Sequence, residues 1–344
     1  MAFPNVKSAL LAMELYMPGQ ITDIPGLLAG CVEDKSAMTG LTVLICGEGA
    51  LFAAKMLGPA TSTRQADAGR CEHLVDKVHA VCLTGGSAFG LGASGGVMEY
   101  LRQKGIGNKV RHMVIPTVPT AALFDLGVGN MELVPDAKMA LRACETAGKK
   151  LPRGSFGAGC GATVGKSLGP QWMMKGGQGT ASIATAGGVV IGALAAVNAY
   201  GDVVDARSGR ILAGARDPGQ PDRIADVPRR LGVEISAAKP SPLENTTLAV
   251  VAVGADLDKR ALARVCTMAG AGLARSIIPS HCVFDGDVIF ALATGGPKIN
   301  ENEAGHLAAC ALAEAVADAV RCADGFGVVP DRRMIGEKVL GQDA

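Results

Sequence analysis

From Gly176 to Gly201 the sequence contains no charged residue, and this stretch is long enough to cross a bilayer. It consists mainly of Gly, Ala, Thr and Ser, with few large apolar side chains, and it contains Gln178 and Asn198. This composition favours two buried strands around a turn over a transmembrane helix. We therefore expect a soluble protein that has no membrane partner.

The composition of the whole chain limits how its interior can be built. Its 344 residues include 47 glycines, and aromatic residues make up only 3%, so Ala, Val, Leu and Gly must pack with closely spaced backbones. Lysine and arginine number 33 and aspartate and glutamate 32, so no bulk charge attracts nucleic acid. Nucleic acid is therefore not expected as a partner.

The ten cysteines are scattered, with no Cys-x-x-Cys pair and no Cys/His spacing that suits zinc. Most lie in apolar segments, where a free cysteine behaves as a small hydrophobic residue. The first twenty residues lack the cleavage site of a signal peptide. These features indicate a reducing, cytoplasmic location.

Apolar segments typical of strands alternate with helical patterns rich in small residues, which predicts an α/β fold. The predicted strands cover residues 41–46, 78–83, 247–255 and 287–294, and the predicted helices cover 90–105, 131–148, 256–277 and 301–322. The polar segment 214–245 is predicted to be an exposed loop.

The segment "GAGCGATVGKSLG" (157–169) superficially resembles a phosphate-binding loop. A Walker A motif requires a glycine five positions before its Gly-Lys pair, but Cys160 stands there and no strand precedes the segment. A dinucleotide fingerprint is likewise only half satisfied. A nucleotide site is therefore not predicted.

Asp285 and Asp287 lie two positions apart at the start of a predicted strand, so their side chains share one face. Considered alone, the "DG" pair is more typical of a turn. The alternative is a carboxylate pair that orients a nucleophile or shares a proton.

Asn245, Thr246 and Thr247 join the polar segment to a β-branched apolar strand, and three interpretations can be considered. The triplet is formally a glycosylation acceptor, but this interpretation falls away because no signal peptide is predicted. Its side chains could instead cap the backbone before the strand. In the third interpretation the Thr246 hydroxyl attacks the preceding carbonyl, and hydrolysis then leaves an N-terminal threonine that carries both nucleophile and base.

Several motifs occur together, in one order, between about residues 21 and 325. They read "ITDIPGLLAG", "CLTGGSAFGLGASGGVMEYL", "IPTVPTAALFDL", "GAGCGATVGK", "AAVNAYGDVVD", "NTTLAVVA" and "PSHCVFDGDVIFALATG". In these motifs the chain resembles the DmpA-type L-aminopeptidase/D-esterase family of self-processing hydrolases. That family also contains nylon-oligomer hydrolases and a pantetheine hydrolase.

The resemblance implies a role for each matching residue. Thr246 would be the nucleophile, uncovered by cleavage after Asn245, and Asp285 and Asp287 would position its hydroxyl and amine. The side-chain amide of Asn198 would bind the oxyanion, and Lys166 would stabilise negative charge near the nucleophile. Several relatives have a substrate-site tyrosine where this chain has Phe89, so that hydroxyl is absent.

The resemblance further implies an αββα sandwich of the N-terminal-nucleophile type, in which a large chain (1–245) and a small chain (246–344) form one domain. The expected reaction is hydrolysis of amide bonds in small molecules or short peptides, through an acyl-enzyme on Thr246. Self-association of the cleaved pairs as an oligomer is expected, and no metal or organic cofactor. Two alternatives remain, namely an acyltransferase of the ornithine acetyltransferase type and an unprocessed binding protein.

Overall fold

The computed structural model describes residues 19–227 and 245–335. Its strands are β1 (Leu27–Asp34), β2 (Thr39–Met56), β3 (Ser62–Arg64), β4 (Lys77–Thr84), β5 (Asn108–Val110), β6 (Met113–Ile115), β7 (Thr120–Ala122), β8 (Thr163–Val164), β9 (Met174–Lys175), β10 (Gly177–Ala184), β11 (Val190–Asn198), β12 (Asp202–Val204), β13 (Ile211–Ala213), β14 (Arg216–Asp217), β15 (Gln220–Ile224), β16 (Thr246–Val253), β17 (Ile277–Ile278) and β18 (Val288–Ala293). Its α-helices are α1 (Ser87–Gly90), α2 (Ser94–Gln103), α3 (Ala137–Glu145), α4 (Lys259–Ser276), α5 (Glu301–Arg321) and α6 (Arg332–Ile335).

A nine-stranded mixed sheet forms the centre of the described part of the chain. Its strands follow the order β10-β11-β16-β18-β2-β4-β7-β3, and β1 pairs with β2 beside this path. The pairs β16–β18 and β4–β7 are parallel, and the other pairs are antiparallel. Strand β2 is long enough to pair with strands in both halves of the sheet. Its first half pairs with β1, and its second half pairs with β18.

The alternation of side chains along the strands builds four layers. In β16, Leu248 and Val250 point into an interior core between the two halves of the sheet, whereas Ala249 and Val251 face the core under helices α4 and α5. In β2, Leu44 faces the interior core, and its neighbours point toward α2 and α3. This arrangement is the αββα sandwich that the resemblance implied.

Small residues let helices α4 and α5 approach each other closely. A side chain on Gly272 would place its Cβ 2.4 Å from the carbonyl oxygen of Ala309 in the facing helix. Both helices start at a side-chain cap, since Asp258 accepts from the Ala261 amide and Asn300 from the Asn302 amide. The glycine- and alanine-rich faces of these helices therefore pack against each other within the chain.

Most predicted elements are present, and the uncharged stretch 176–201 forms the strands β10 and β11 around a turn, as predicted. The prediction of an exposed loop over 214–245 was wrong for its first part. The β14–β15 hairpin forms there. Ala215 and Ala225 are buried in a small core with Val227, and Ile224 is buried in the core under helices α4 and α5. Residues 228–244 of the predicted loop lie outside the described residues.

Two further features bear on the expectations from composition. Among the described helices, none is both long enough and apolar enough to cross a bilayer. All ten cysteines lie within described residues, and all are unpaired thiols.

Candidate active site

The sheet brings Asn198, Asn245, Thr246, Asp285 and Asp287 together where several of its strands begin or end. Strand β11 ends at Asn198 and β16 begins at Thr246, and the antiparallel register places these two residues directly opposite each other. One residue earlier, Asn245 forms a parallel bridge with Asp285, which precedes strand β18. Residues far apart in the sequence therefore meet because three strands end at the same place.

Thr246 lies against the peptide bond that precedes it. Its hydroxyl donates a hydrogen bond to the carbonyl oxygen of Asn245 at 2.5 Å, and its side chain is buried. The same oxygen accepts a second hydrogen bond from the amide of Gly286 at 2.8 Å. The hydroxyl is thus held at the carbonyl group that a self-cleavage reaction would attack.

Asp287 fixes the residue after Thr246. One carboxylate oxygen accepts from the amide of Thr247 at 2.7 Å, and the other lies 2.8 Å from Nδ1 of His281. The backbone amide of His281 also donates to this second oxygen, at 3.3 Å. Since Asp287 is only 2% exposed, its negative charge is stabilised by these contacts rather than by water.

Asp285 is equally buried, and its carboxylate accepts from the amide of Cys282 at 2.7 Å. Burial and the neighbouring charge of Asp287 raise the pKa of Asp285 to about 7, whereas the Cys282 amide and the charge of Lys166 act in the opposite direction. The carboxyl group can therefore give up or take a proton near neutral pH. In the uncleaved chain the Thr246 hydroxyl donates to Asn245, and neither carboxylate accepts from it.

Cys282 is another nucleophilic side chain near these strand ends. Burial raises its pKa to about 12, and the charges of Asp285 and Asp287 contribute to the increase. The group is a neutral thiol at physiological pH, and only the thiolate is strongly nucleophilic. Thr246 is therefore the better candidate nucleophile.

Asn198 and Lys166 form the opposite wall of the site. The ammonium group of Lys166 donates to the side-chain oxygen of Asn198 at 2.9 Å and to its backbone oxygen at 3.2 Å. The same side-chain oxygen accepts from the amide of Thr163 at 3.0 Å, and the Asn198 amide nitrogen donates to the carbonyl of Phe124 at 2.8 Å. These bonds fix which end of the Asn198 amide group carries its N–H donors.

A cavity of about 50 Å³ lies beside Lys166 and is lined by Phe124, Asp125, Gly127, Val128, Thr163, Lys166, Pro170 and Met173. Phe89 is not among the lining residues. Its side chain is 75% exposed on helix α1, which is attached near the site because the Ser87 amide donates to the carbonyl of Leu123.

Sequence reasoning missed two groups that touch this site. His281 contacts Asp287, and its only signal was its place in the quoted motif "PSHCVFDGD". Gly286 lies in the same motif, but nothing in the sequence indicated its amide as a donor, because a backbone donor is defined by chain geometry and not by residue type. Within residues 19–227 and 245–335, no cluster of three or more His, Cys, Asp or Glu side chains could hold a metal ion.

Two proteins of known sequence are similar to this chain over most of its length. An uncharacterized aminopeptidase of Mycobacterium leprae is 36% identical over 90% of this chain and 92% of its own length. The 6-aminohexanoate-oligomer endohydrolase of Paenarthrobacter ureafaciens is 27% identical over 79% of this chain and 74% of its own length.

Solved structures also have the same fold. A Burkholderia sp. beta-aminopeptidase aligns with a TM-score of 0.64 at 20% identity, covering 94% of this chain and 96% of that protein. The L-aminopeptidase D-Ala-esterase/amidase of Ochrobactrum anthropi, described as a variant of the Ntn hydrolase fold, aligns with a TM-score of 0.65 at 16% identity, covering 90% and 88%. The model of peptidase family S58 matches residues 19–333, which contain every site residue described above, so the chain is a member of that family.

Proposed function

We propose that this protein is a self-processing amidohydrolase that cleaves its own Asn245–Thr246 bond and then uses Thr246 as an N-terminal nucleophile. The observation that carries the proposal is the Thr246 hydroxyl, which lies 2.5 Å from the carbonyl oxygen of the residue before it. The strand ends around it supply two carboxylates, an asparagine and a lysine.

Cleavage would give Thr246 a second functional group. The new α-amine has an ordinary pKa of about 7.7–8.0, so near neutral pH a useful fraction is neutral and can accept the proton of the hydroxyl. Asp287 already holds the Thr247 amide, which fixes the backbone beside this new amine. Asp285 and Asp287 would then orient the amine through charge, because both carboxylates are buried at the same strand end.

During turnover, Asn198 and Lys166 would stabilise the negative charge that develops on the substrate's carbonyl oxygen. Asn198 lies opposite Thr246 in the strand register, and its amide is already oriented by Lys166, Thr163 and Phe124. A preorganised donor of this kind contributes a factor of roughly 10²–10³ to the rate.

For the substrate, we propose small amino amides or short peptides. This class is consistent with similar proteins that are named aminopeptidase and 6-aminohexanoate-oligomer endohydrolase. The cavity beside Lys166 is the part of the site where we propose that the substrate binds. We further propose that the cleaved pairs assemble as an oligomer, which light scattering coupled to size exclusion would test.

The decisive experiment follows the covalent state of the purified chain. We expect the wild-type protein to separate into residues 1–245 and 246–344, with the second piece beginning Thr-Thr-Leu-Ala-Val on N-terminal sequencing. Thr246→Ala should remain one folded, inactive chain, because the attacking hydroxyl is gone. Thr246→Ser should still be cleaved, since it retains a hydroxyl.

Thr247→Ala is the matched control, because it removes an adjacent hydroxyl and leaves the Thr247 amide to bind Asp287. It should be cleaved normally. An active wild-type enzyme in which the 245–246 bond stays intact would refute the proposal. If the protein is cleaved as expected, its rates of hydrolysis of β- and ω-amino amides would define the substrate.

A further inference from the structure

The carbonyl oxygen of Asn245 contacts a backbone donor, the amide of Gly286, which lies between the two carboxylate residues Asp285 and Asp287. It accepts from the Gly286 amide at 2.8 Å and from the Thr246 hydroxyl at 2.5 Å. The parallel bridge between Asn245 and Asp285 holds this geometry in place. The Lys166 ammonium group, in contrast, donates to the side-chain and backbone oxygens of Asn198.

The Gly286 amide lies in a segment whose backbone is hydrogen-bonded to the chain after β2. The carbonyl of Asp285 accepts from the Ala60 amide at 3.0 Å, and the carbonyl of Asp287 accepts from the Leu57 and Gly58 amides at 2.9 and 3.1 Å. The peptide that carries the Gly286 N–H is thus bonded to the segment after β2, and so is the peptide that follows Asp287. A donor immobilised in this way requires no reorganisation when negative charge develops on its acceptor.

Residue 286 must also be small. A Cβ atom there would lie 2.7 Å from the carbonyl oxygen of Ala60 and 2.7 Å from the Thr246 hydroxyl oxygen. The backbone of Gly286 can approach both the acceptor and the attacking group because it has no side chain.

We propose that the Gly286 N–H is the oxyanion donor of the self-cleavage step, whereas Asn198 and Lys166 serve substrate turnover. This inference rests on the proposed function. Self-cleavage and substrate turnover, which both use Thr246, would thus have separate hydrogen-bond donors to their oxyanions. The two reactions can therefore be impaired independently.

In the cleavage step, the Thr246 hydroxyl oxygen forms a bond to the carbonyl carbon of Asn245. The π electron pair of that carbonyl moves to its oxygen, which the Gly286 N–H stabilises, and the hydroxyl proton passes to the Thr246 nitrogen. The oxygen then re-forms its double bond as the C–N bond breaks, leaving an ester on Thr246 and a new amine. Water hydrolyses the ester to the Asn245 carboxyl group and the restored hydroxyl.

The test replaces residue 286 with glycolic acid by nonsense suppression, which exchanges the N–H for an ester oxygen and adds no side chain. Cleavage is followed by gel electrophoresis and mass spectrometry after synthesis. We expect it to slow by roughly 10²–10³-fold, the effect of losing one oxyanion donor. The matched control is the same ester at Gly188, whose amide donates to Thr185 at 3.0 Å in the β10–β11 turn, and it should cleave at the wild-type rate.

The second experiment introduces Asn198→Ala and Lys166→Ala, each into the chain that has the normal amide at residue 286. Both should still be cleaved at 245–246, within a few-fold of the wild-type rate, and both should lose turnover. Circular dichroism and thermal melting of the uncleaved ester protein against Thr246→Ala would establish that it is folded.

Cleavage of the Gly286 ester at the wild-type rate would overturn this inference while leaving the proposed function intact. Loss of cleavage in Asn198→Ala or Lys166→Ala, equal to that of the ester, would overturn it as well. A wild-type chain that never cleaves would instead refute the proposed function.

Discussion

Asp285 provides the sharpest quantitative prediction, because folding places its carboxyl group in an unfavourable environment for charge. Burial and the neighbouring Asp287 raise its pKa from 3.8 to about 7. The folded state therefore binds the proton more tightly than the unfolded state does. The resulting contribution to stability is fully present below about pH 4 and is lost as the pH rises through 7.

The perturbation is Asp285→Asn in a Thr246→Ala chain, in which the fold stays uncleaved. Each pH unit by which a pKa is displaced corresponds to about 1.4 kcal/mol, so the charge on Asp285 costs about 4 kcal/mol of unfolding free energy at pH 8. Asparagine cannot ionise and avoids this cost. It retains an acceptor for the Cys282 amide, but its N–H₂ group takes the place of Oδ1, which is buried with no hydrogen-bond partner among the described residues.

The unpartnered N–H₂ group costs about 1–3 kcal/mol, and this cost is the same at every pH. The measurement therefore compares the stability difference between variant and parent at two pH values, which cancels this constant cost. Urea denaturation at pH 4 and pH 8 gives the unfolding free energy of the variant relative to its parent, and this relative value should increase by about 4 kcal/mol between the two pH values.

The control is Asp256→Asn, because Asp256 is exposed and its carboxylate is solvated before and after unfolding. Its relative stability should change little with pH. If Asp285→Asn shows the same small change, its carboxyl group is not held near neutrality, and the inference that Asp285 can exchange a proton near neutral pH fails.

Substitutions at Asn198 and His281 test two further contacts of the site. In the cleaved protein, Asn198→Ala should reduce kcat by roughly 10²–10³-fold, since it removes a donor to the oxyanion, and near-native turnover would exclude that role. His281→Ala should lower kcat several-fold with little change in KM, because Asp287 loses the contact that orients it. His281→Asn should restore most of the activity, because asparagine can donate from a similar position and tolerates the positive φ of 56° found there. The control is His112→Ala, because His112 is exposed. If His281→Ala has the same kcat as this control, His281 has no role in orienting Asp287 for turnover.

Much of the layered fold was predictable because strand and helix periodicities differ. The alternation in β16 separates Leu248 from Ala249 onto opposite faces, and the sequence pattern predicted this strand within about one or two residues at each end. The β14–β15 hairpin was not predictable, because its polar residues are typical of a loop. Packing of Ala215, Ala225 and Val227 against one another stabilises it, and such tertiary contacts leave no local pattern.

The site itself was predicted from two different sources. The placement of Thr246 at a strand start follows from the sequence, whereas the roles of Asn198 and Lys166 came only from the resemblance. Spacing could not place Asn198 opposite Thr246, since the strand register joins residues 48 positions apart in the chain. The Gly286 amide was beyond reach for a different reason, because every residue except proline carries the same donor.

The position of β16 in the sheet explains how a cut chain could retain its active site. Every residue from Thr246 to Val253 is buried, and β16 pairs on one side with β11 and on the other with β18. Because β11 would belong to the large piece and β18 to the small one, the two pieces share one core and cannot separate without unfolding. Asn245 has fewer constraints, since its bridge to Asp285 is a single isolated pair. After cleavage we therefore expect the Asn245 end to move away, and the Thr246 end to remain fixed where the carboxylates can orient it.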